Sequence, residues 1–203
     1  MAPRDDKPSS LDALRQSAMH CDDCAFAVHA TQTVWGEGAV GATLMLVGEQ
    51  PGDREDLEGR PFVGPAGQLL RKAMQELGWP MERVYVTNAV KHFKFEWRGK
   101  RRMHKTPAQR EAAACSRWLE GEIEQVRPEA LVALGATAVR SLLGPKPKVL
   151  EAEGTWLTRT DGRRVLVVRH PSALLRADRA ELPRLYESWK GLLDRATPLL
   201  RPR

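Results

Sequence analysis

Hydrophobic positions in this chain form short unbroken runs that alternate with longer stretches of helical spacing. Four runs have the length and apolar content of buried strands, at residues 43–48, 84–88, 130–134 and 164–169. Helical spacing predicts helices at residues 10–19, 66–77, 106–126, 136–143 and 182–195. Short buried strands that alternate with helices favour a parallel sheet covered on both faces. The predicted fold is therefore α/β: a three-layer α/β/α sandwich around a central, mainly parallel, four-stranded sheet.

Local signals support these helix boundaries. Ser10 is suited to cap the first helix, Gly78 to end the second and Pro107 to occupy the first turn of the third. The composition shows no break that would divide the 203 residues into two units. We predict one domain over residues 11–196, with flexible tails at 1–10 and 197–203.

The net charge of +6 points weakly to a polyanionic partner, because Lys and Arg that meet phosphates release condensed counterions. The placement of the charge says more. One short stretch interleaves basic residues with aromatic ones: Lys91, Phe93, Lys94, Phe95, Trp97, Arg98, Lys100, Arg101, Arg102, Lys105 and Arg110. Such a stretch suits phosphate contact with nearby base stacking.

Other signals concern the compartment. No apolar run is long enough for a spanning helix, and the first ten residues lack the apolar core of a signal peptide. We expect a cytoplasmic, monomeric protein with no membrane partner.

Three predicted strands lead into unusual loops, at residues 48–67, 88–105 and 170–176. In open parallel sheets, ligands bind beyond the carboxyl ends of the strands, so one site could collect all three loops. Each loop also has an ordinary interpretation: a turn with solvated acids after Gly48, a core position for Phe62, a turn residue at Asn88, and a solvated basic loop at 100–104.

The cysteines leave several interpretations open. Cys21 and Cys24 have the two-residue gap that lets both sulfurs reach one metal centre, and Cys115 lies on a predicted helix. Zinc or an iron-sulfur cluster fits such ligands, Cys21 and Cys24 could form a redox pair, and Cys115 could be plain core.

Taken together, the motifs resemble the uracil-DNA glycosylase superfamily. The matching segments are 48–52 (GEQPG), 61–64 (PFVG), 87–88 (TN) and 170–176 (HPSALLR). The nearest branches are the iron-sulfur family-4 enzymes and the UdgX family. Residues 100–104 (KRRMH) stand where UdgX proteins carry a Lys-Arg-Arg-Ile-His insertion, and Gln50 is the UdgX form of the first motif. The chain is identified as UdgX-like.

The resemblance implies roles for individual residues. It assigns catalysis to Glu49, Gln50, His104 and His170. It assigns substrate binding to Gly48, Asp53, Phe62, Asn88 and Arg176. It assigns DNA contacts to Lys100, Arg101, Arg102 and Ser172. In UdgX the His that matches His104 attacks C1′ of the sugar and stays joined to the DNA, a step that a neutral imidazole can perform near pH 7.

The resemblance also implies a 4Fe-4S cofactor, held by Cys21, Cys24, His92 and Cys115. The implied partner is uracil-containing DNA, with single strands preferred and uracil as the released base. Three functions remain to be separated: a glycosylase that ends as a covalent adduct through His104, a hydrolytic family-4-like glycosylase that turns over, and a non-catalytic iron-sulfur or zinc DNA-binding module.

Overall fold

A computed structural model describes residues 10–201 of the chain. Its central sheet has five strands: β1 (Leu44–Gly48), β2 (Val84–Asn88), β5 (Ala130–Leu134), β6 (Trp156–Thr158) and β7 (Arg164–Val168). Their order across the sheet is β2-β1-β5-β7-β6. β2, β1, β5 and β7 are parallel, and β6 joins β7 in antiparallel orientation. Because the parallel strands share a direction, their carboxyl ends meet at one edge.

A separate two-stranded hairpin, formed by β3 (Phe95–Arg98) and β4 (Arg101–His104), follows β2 in the chain. The helices are α1 (Leu11–Ala18), α2 (Asp53–Glu58), α3 (Pro65–Glu76), α4 (Gln109–Val126), α5 (Ala136–Leu143), α6 (Val149–Ala152), α7 (Leu182–Asp194) and α8 (Thr197–Leu200). Short 3-10 turns cover Ala27–His29, Met81–Arg83 and Pro171–Arg176.

Two hydrophobic cores lie on opposite faces of the sheet. Alternate residues of each strand point to opposite faces, so Leu44 and Leu46 pack with α3 and α7, and Met45 and Val47 pack with α4 and α5. This two-sided burial explains why the parallel strands are unbroken apolar runs. The predicted three-layer α/β architecture is confirmed.

Several predicted details are corrected. The sheet has five strands because β6, only three residues long, adds to the edge and is too short to give a hydrophobic pattern. The region at 88–105 is a hairpin and not a plain loop. The third predicted helix begins at Gln109, after Pro107, with Ala108 at its N-cap.

At the chain ends, the Ser10 side chain accepts a hydrogen bond from the backbone N–H of Ala13 as a helix cap, as predicted. Nine of the ten residues placed in an N-terminal tail lie outside the described residues. Residues 197–200, placed in a C-terminal tail, form α8, and its Leu200 is buried against the core. Among residues 10–201, no helix has the length and apolar character needed to cross a membrane.

Candidate active site

The site begins where β1 and β2 end side by side. Gly48 pairs with Asn88 in the register of the two strands. A Cβ on Gly48 would overlap the side-chain oxygen of Asn88 and would lie 2.7 Å from Cζ of Phe62. The bare glycine therefore lets the Asn88 amide and the Phe62 ring close over the strand end.

Phe62 is held in an uncommon backbone conformation. Its φ of 55° lies in the left-handed region, which costs free energy in a residue with a Cβ. Arg71 stabilises this bend by donating from Nε to the Phe62 carbonyl at 3.1 Å. The buried ring lies stacked toward His170, with ring centroids 6.4 Å apart and planes 30° apart. Together, Gly48, Phe62, Asn88 and His170 form what we call the sheet-edge cluster.

His170 follows β7 and is fixed by its own turn. Its Nδ1 accepts hydrogen bonds from the backbone N–H of Ser172 at 3.2 Å and from the Ser172 hydroxyl at 2.8 Å. Burial lowers the pKa of His170 to about 4, against the opposing charge of Glu49. The imidazole is therefore neutral near pH 7, and the proton resides on Nε2, where it can be donated. Ser172, predicted as a DNA contact, orients this ring.

Glu49, directly after β1, contacts His104 on β4. The distance from His104 Nε2 to Glu49 Oε1 is 3.1 Å, and the Thr137 hydroxyl donates to Glu49 Oε2 at 2.6 Å. Burial alone would raise the pKa of Glu49, but the hydrogen bonds from His104 and Thr137 lower it. An ionised carboxylate thus lies against an imidazole whose side chain is 47% exposed.

Gln50 fastens the hairpin to this edge. Its Nε2 donates to the carbonyls of Lys94 at 3.1 Å and Lys105 at 3.2 Å, and its Oε1 accepts from the Lys94 N–H at 3.1 Å. Lys94 and Lys105 flank the two strands, so one buried amide closes the base of the hairpin. Gln50, predicted as a catalytic residue, here hydrogen-bonds the backbone on both sides of the hairpin, one residue from His104.

Arg102 makes a second attachment between the hairpin and α2. It donates from Nε to Asp53 Oδ1 and from a terminal nitrogen to Asp56 Oδ2, both at 2.6 Å. Its guanidinium also lies 5.1 Å from the centroid of the Phe95 ring, which is paired opposite His104. Arg102 was predicted to contact DNA and Asp53 to bind substrate. In this structure the two residues form an ion pair with each other.

The other predicted DNA contacts lie at the surface. Lys100 and Arg101 are exposed at the hairpin turn, and Arg176 is exposed at the end of the turn after β7. The positive charge of Arg176 contributes to the lowered pKa of His170, so it lies close to the site. Within the basic stretch, Lys91 is buried and Lys94 is paired with Glu111, which leaves fewer charges for phosphate than the sequence indicates.

The four predicted metal ligands lie in one apolar region between α1, α4 and the segment after β2. Cys24 Sγ is 3.6 Å from His92 Nδ1, and Thr33 Oγ1 lies 2.9 Å from His92 Nε2 and orients the ring. Two sulfurs receive hydrogen bonds: Cys115 from the Lys91 N–H at 3.2 Å, and Cys21 from Trp118 Nε1 at 3.1 Å.

Two observations bear on whether this region could hold a metal ion or a metal cluster. Within residues 10–201, no three His, Cys, Asp or Glu side chains lie close enough together to hold a single metal ion. Trp35, packed in the same apolar region, has a buried indole N–H with no acceptor among the described residues. Because buried donors are normally satisfied, this N–H points to an acceptor that the protein itself does not supply. By ligand type, three thiols and one imidazole fit zinc or an iron-sulfur cluster, and the spare donor suits a group that brings its own acceptor.

A buried ion pair connects the metal region to the sheet edge. Lys91 Nζ lies 2.5 Å from Glu122 Oε2 and donates to the Asn88 carbonyl at 2.7 Å, and both charged side chains are fully buried. The Tyr85 and Thr87 hydroxyls complete the network around Glu122. Buried charges are tolerated only when paired and hydrogen-bonded in this way.

Sequence reasoning missed Thr137 and the buried pair. Thr137 follows the end of β5 on the same sheet edge, so the strand-end rule that found Glu49 could have found it. Lys91 stands inside a run of basic residues, and no sequence signal separates it from the exposed ones.

Sequence comparisons relate this chain to known proteins. The sequence profile of the Uracil DNA glycosylase superfamily matches residues 35–192. The chain is 36% identical over 176 residues to a type-4 uracil-DNA glycosylase of Thermotoga maritima, which covers 86% of this chain and 88% of that protein. It is 32% identical over 190 residues to a type-4 uracil-DNA glycosylase of Archaeoglobus fulgidus, covering 88% of this chain and 89% of the relative. A type-5 uracil-DNA glycosylase of Pyrobaculum aerophilum is 35% identical over 163 residues, 69% of this chain and 65% of the relative.

Proposed function

Because this chain belongs to the uracil DNA glycosylase superfamily, we propose that it excises uracil from DNA and becomes joined to the abasic sugar through His104. Its similarity to type-4 uracil-DNA glycosylases supports the excision. The observation that carries the covalent step is the contact between His104 Nε2 and Glu49 Oε1, placed beside the sheet-edge cluster.

Recognition of the base falls to the sheet-edge cluster. The Phe62 ring offers a flat apolar surface on which a flipped base can stack, and the base must leave the duplex stack to reach it. The side-chain amide of Asn88 offers both a donor and an acceptor, which match the N3–H and the O4 of uracil and mismatch cytosine. Gly48 leaves room for both groups.

Cleavage of the glycosidic bond leaves an electron pair on the departing base. The neutral His170, with Nδ1 engaged by Ser172, presents Nε2–H to stabilise the negative charge that develops on uracil O2. A charged imidazolium is not required, which agrees with the lowered pKa of this residue.

His104 then completes the reaction at C1′. The C1′–N1 bond breaks, its electron pair leaves with uracil, and a ring nitrogen of His104 forms a new bond to C1′. The ring proton of His104 passes to the Glu49 carboxylate, which the Thr137 hydroxyl holds in place. Nucleophilic attack by an imidazole beside an ionised carboxylate is an ordinary form of covalent catalysis.

We assign the region around Cys21, Cys24, His92 and Cys115 to a 4Fe-4S cluster. A cluster inserts several iron and sulfide atoms between its ligands, so its ligands need not crowd as those of one ion do. When bound, such a cluster supplies structural cross-linking between α1, α4 and the segment after β2. The Lys91 N–H and the Trp118 indole donate to ligand sulfurs, and Trp35 has a free donor for a sulfide.

Absorbance and metal analysis of freshly purified protein test this cofactor. We expect a brown protein with iron and acid-labile sulfide, and loss of the visible absorbance in Cys24→Ser and Cys115→Ser. Ser116→Ala, an exposed position beside Cys115, serves as the control and should keep the colour. A colourless protein with stoichiometric zinc would contradict the assignment.

Incubation with a single-stranded oligonucleotide that carries one uracil tests the function. We expect free uracil together with a protein-DNA band that survives denaturation. Release of uracil with only an abasic strand would support the hydrolytic alternative, and neither product would support the non-catalytic module. His170→Asn should slow uracil release, since it removes the donor to the leaving base.

A further inference from the structure

Trp97 stands apart from the other aromatic residues of the chain. Trp97, on β3, is 66% exposed, whereas every other Trp, Phe and Tyr among residues 10–201 is buried or half-buried. An exposed indole costs free energy in water, and the recognition of the base and the capture of the sugar described above do not use it.

The hairpin register places Trp97 near the proposed nucleophile. Phe95 pairs with His104, and Trp97 pairs with Arg102, so these four side chains lie on one face of the hairpin. Trp97 and Phe95 are two residues apart, which on a strand is about 7 Å. A neighbouring nucleotide of an extended strand spans such a distance.

The indole is braced on one side and open on the other. Its ring meets the edge of Phe95 at a centroid distance of 5.5 Å and an angle of 90°. Phe95 is fixed in turn by the guanidinium of Arg102 and by stacking on Phe93. A rigid aromatic platform of this kind loses little entropy when a flat partner stacks on it.

The positive charge around Trp97 favours a nucleic acid strand as its partner. Arg98, Lys100 and Arg101 are exposed at the hairpin turn. The nearby acid Glu96 forms an ion pair with Lys105, with 2.6 Å between Glu96 Oε2 and Lys105 Nζ. Exposed cations that surround an exposed indole match the backbone and base faces of a single strand. A paired base in a duplex does not offer its face in this way.

We propose that Trp97 stacks on an unpaired base next to the nucleotide whose C1′ meets His104. This contact makes single-stranded uracil-containing DNA the preferred form of the substrate. The inference rests on the proposed function, since it takes the position of the scissile nucleotide from His104.

A double-mutant cycle tests this contact. Single-turnover excision is measured on single strands in which the base on one side of uracil, or on the other, is replaced by a base-free tetrahydrofuran residue. In the unaltered protein, removal of one flanking base should slow excision about tenfold, because base-aromatic stacking has that order of strength. In Trp97→Ala the rate should already be about tenfold lower on the complete strand, and removal of the same base should change little further.

Two variants separate stacking from a structural effect. Trp97→Phe should restore most of the rate, whereas Met103→Ala, an exposed apolar position on the other face of the hairpin, should respond to flanking-base removal as the unaltered protein does. An equal cost of base removal in the unaltered protein and in Trp97→Ala, at both flanking positions, would overturn the proposal.

Binding separates this inference from the proposed function. If the unaltered protein releases no uracil, the proposed function fails. Anisotropy with uracil-free single strands then decides the stacking. Weaker binding by Trp97→Ala but not by Met103→Ala supports the contact, and equal binding by all three proteins contradicts it.

Discussion

The sheet-edge cluster and the β3–β4 hairpin lie on either side of the contact between Glu49 and His104, but different forces hold them in place. Gly48 and Asn88 belong to buried parallel strands, and Phe62 and His170 are packed against them. The hairpin lies outside the sheet and is attached through the polar side chains of Gln50 and Arg102.

In the proposed function, this difference assigns the two halves of the reaction to two kinds of structure. The groups proposed to bind the base and to stabilise its departure lie on the hydrophobic core, where close packing fixes positions. The proposed nucleophile, His104, lies on an attached element, whose position depends on a few hydrogen bonds. Substitutions in the core should therefore harm excision, and substitutions at the attachment should harm capture of the sugar more than excision.

The largest effect is expected at the buried pair beneath Asn88. Lys91→Met leaves Glu122 buried without its cation, and we expect the free energy of unfolding to fall by about 3–5 kcal/mol. Adding Glu122→Gln, which removes the charge but keeps an acceptor, should recover part of the loss. Urea unfolding measures both. A change below about 1 kcal/mol in Lys91→Met would contradict the burial of the pair.

Gly48→Ala should break the sheet-edge cluster while leaving the hairpin attached. The added Cβ would displace Asn88 and Phe62, and a misplacement of about 1 Å can cost about a hundredfold in rate. Single-turnover release of uracil measures the effect. Gly52→Ala is the matched control, because its nearest neighbouring atom is 3.9 Å away and it should stay within a few-fold. Equal rates for the two variants would contradict the claim that close packing around Gly48 positions Asn88 and Phe62.

Gln50→Leu should weaken the attachment of the hairpin while leaving the sheet-edge cluster intact. It removes three hydrogen bonds at the base of the hairpin, and we expect covalent capture to slow about tenfold, with a smaller change in uracil release. Glu96→Gln, on the exposed face of the same hairpin, is the control. Capture and release are followed in one time course. An equal fall in both rates would show that Gln50 serves excision directly.

The smallest effect is expected from pH. Because the pKa of His170 is lowered to about 4, its neutral form persists at pH 5, and uracil release should change less than about twofold between pH 7 and 5. The same shift favours the neutral ring in the folded state. Its contribution to stability is complete above the ordinary value near 6.5 and is lost as pH falls toward 4.

Urea unfolding at pH 7 and 5 checks the sign. The unaltered protein should lose more stability between these values than His170→Asn does, because the variant lacks this titrating group. A larger loss in the variant would indicate that His170 is charged in the folded protein.

Much of the fold follows from the sequence because the parallel strands are buried on both faces. Their unbroken apolar runs predicted all four parallel strands to within one residue of their observed ends, and the runs at 84–88 and 130–134 match without error. The hairpin could not be predicted in this way. Its strands are four residues long and rich in charge. They are held by partners outside their own sequence: Gln50, and the carboxylates of Asp53 and Asp56 that pair with Arg102.

The site followed the same division. The strand-end rule places Glu49, Asn88 and His170 at one edge, because it depends only on strand direction. Roles of Gln50 and Arg102 depend on which partner each polar group meets, and sequence does not contain that information. Both residues are engaged in holding the hairpin, which the motif alone does not reveal.

Intact-protein mass spectrometry after incubation with a uracil-containing single strand tests the central claim most directly. The account predicts a protein whose mass has increased by that of the oligonucleotide less one molecule of uracil, with the modified peptide containing His104. His104→Ser should release uracil without this gain. An unmodified protein alongside complete uracil release, or a modification at another residue, would contradict covalent capture by His104.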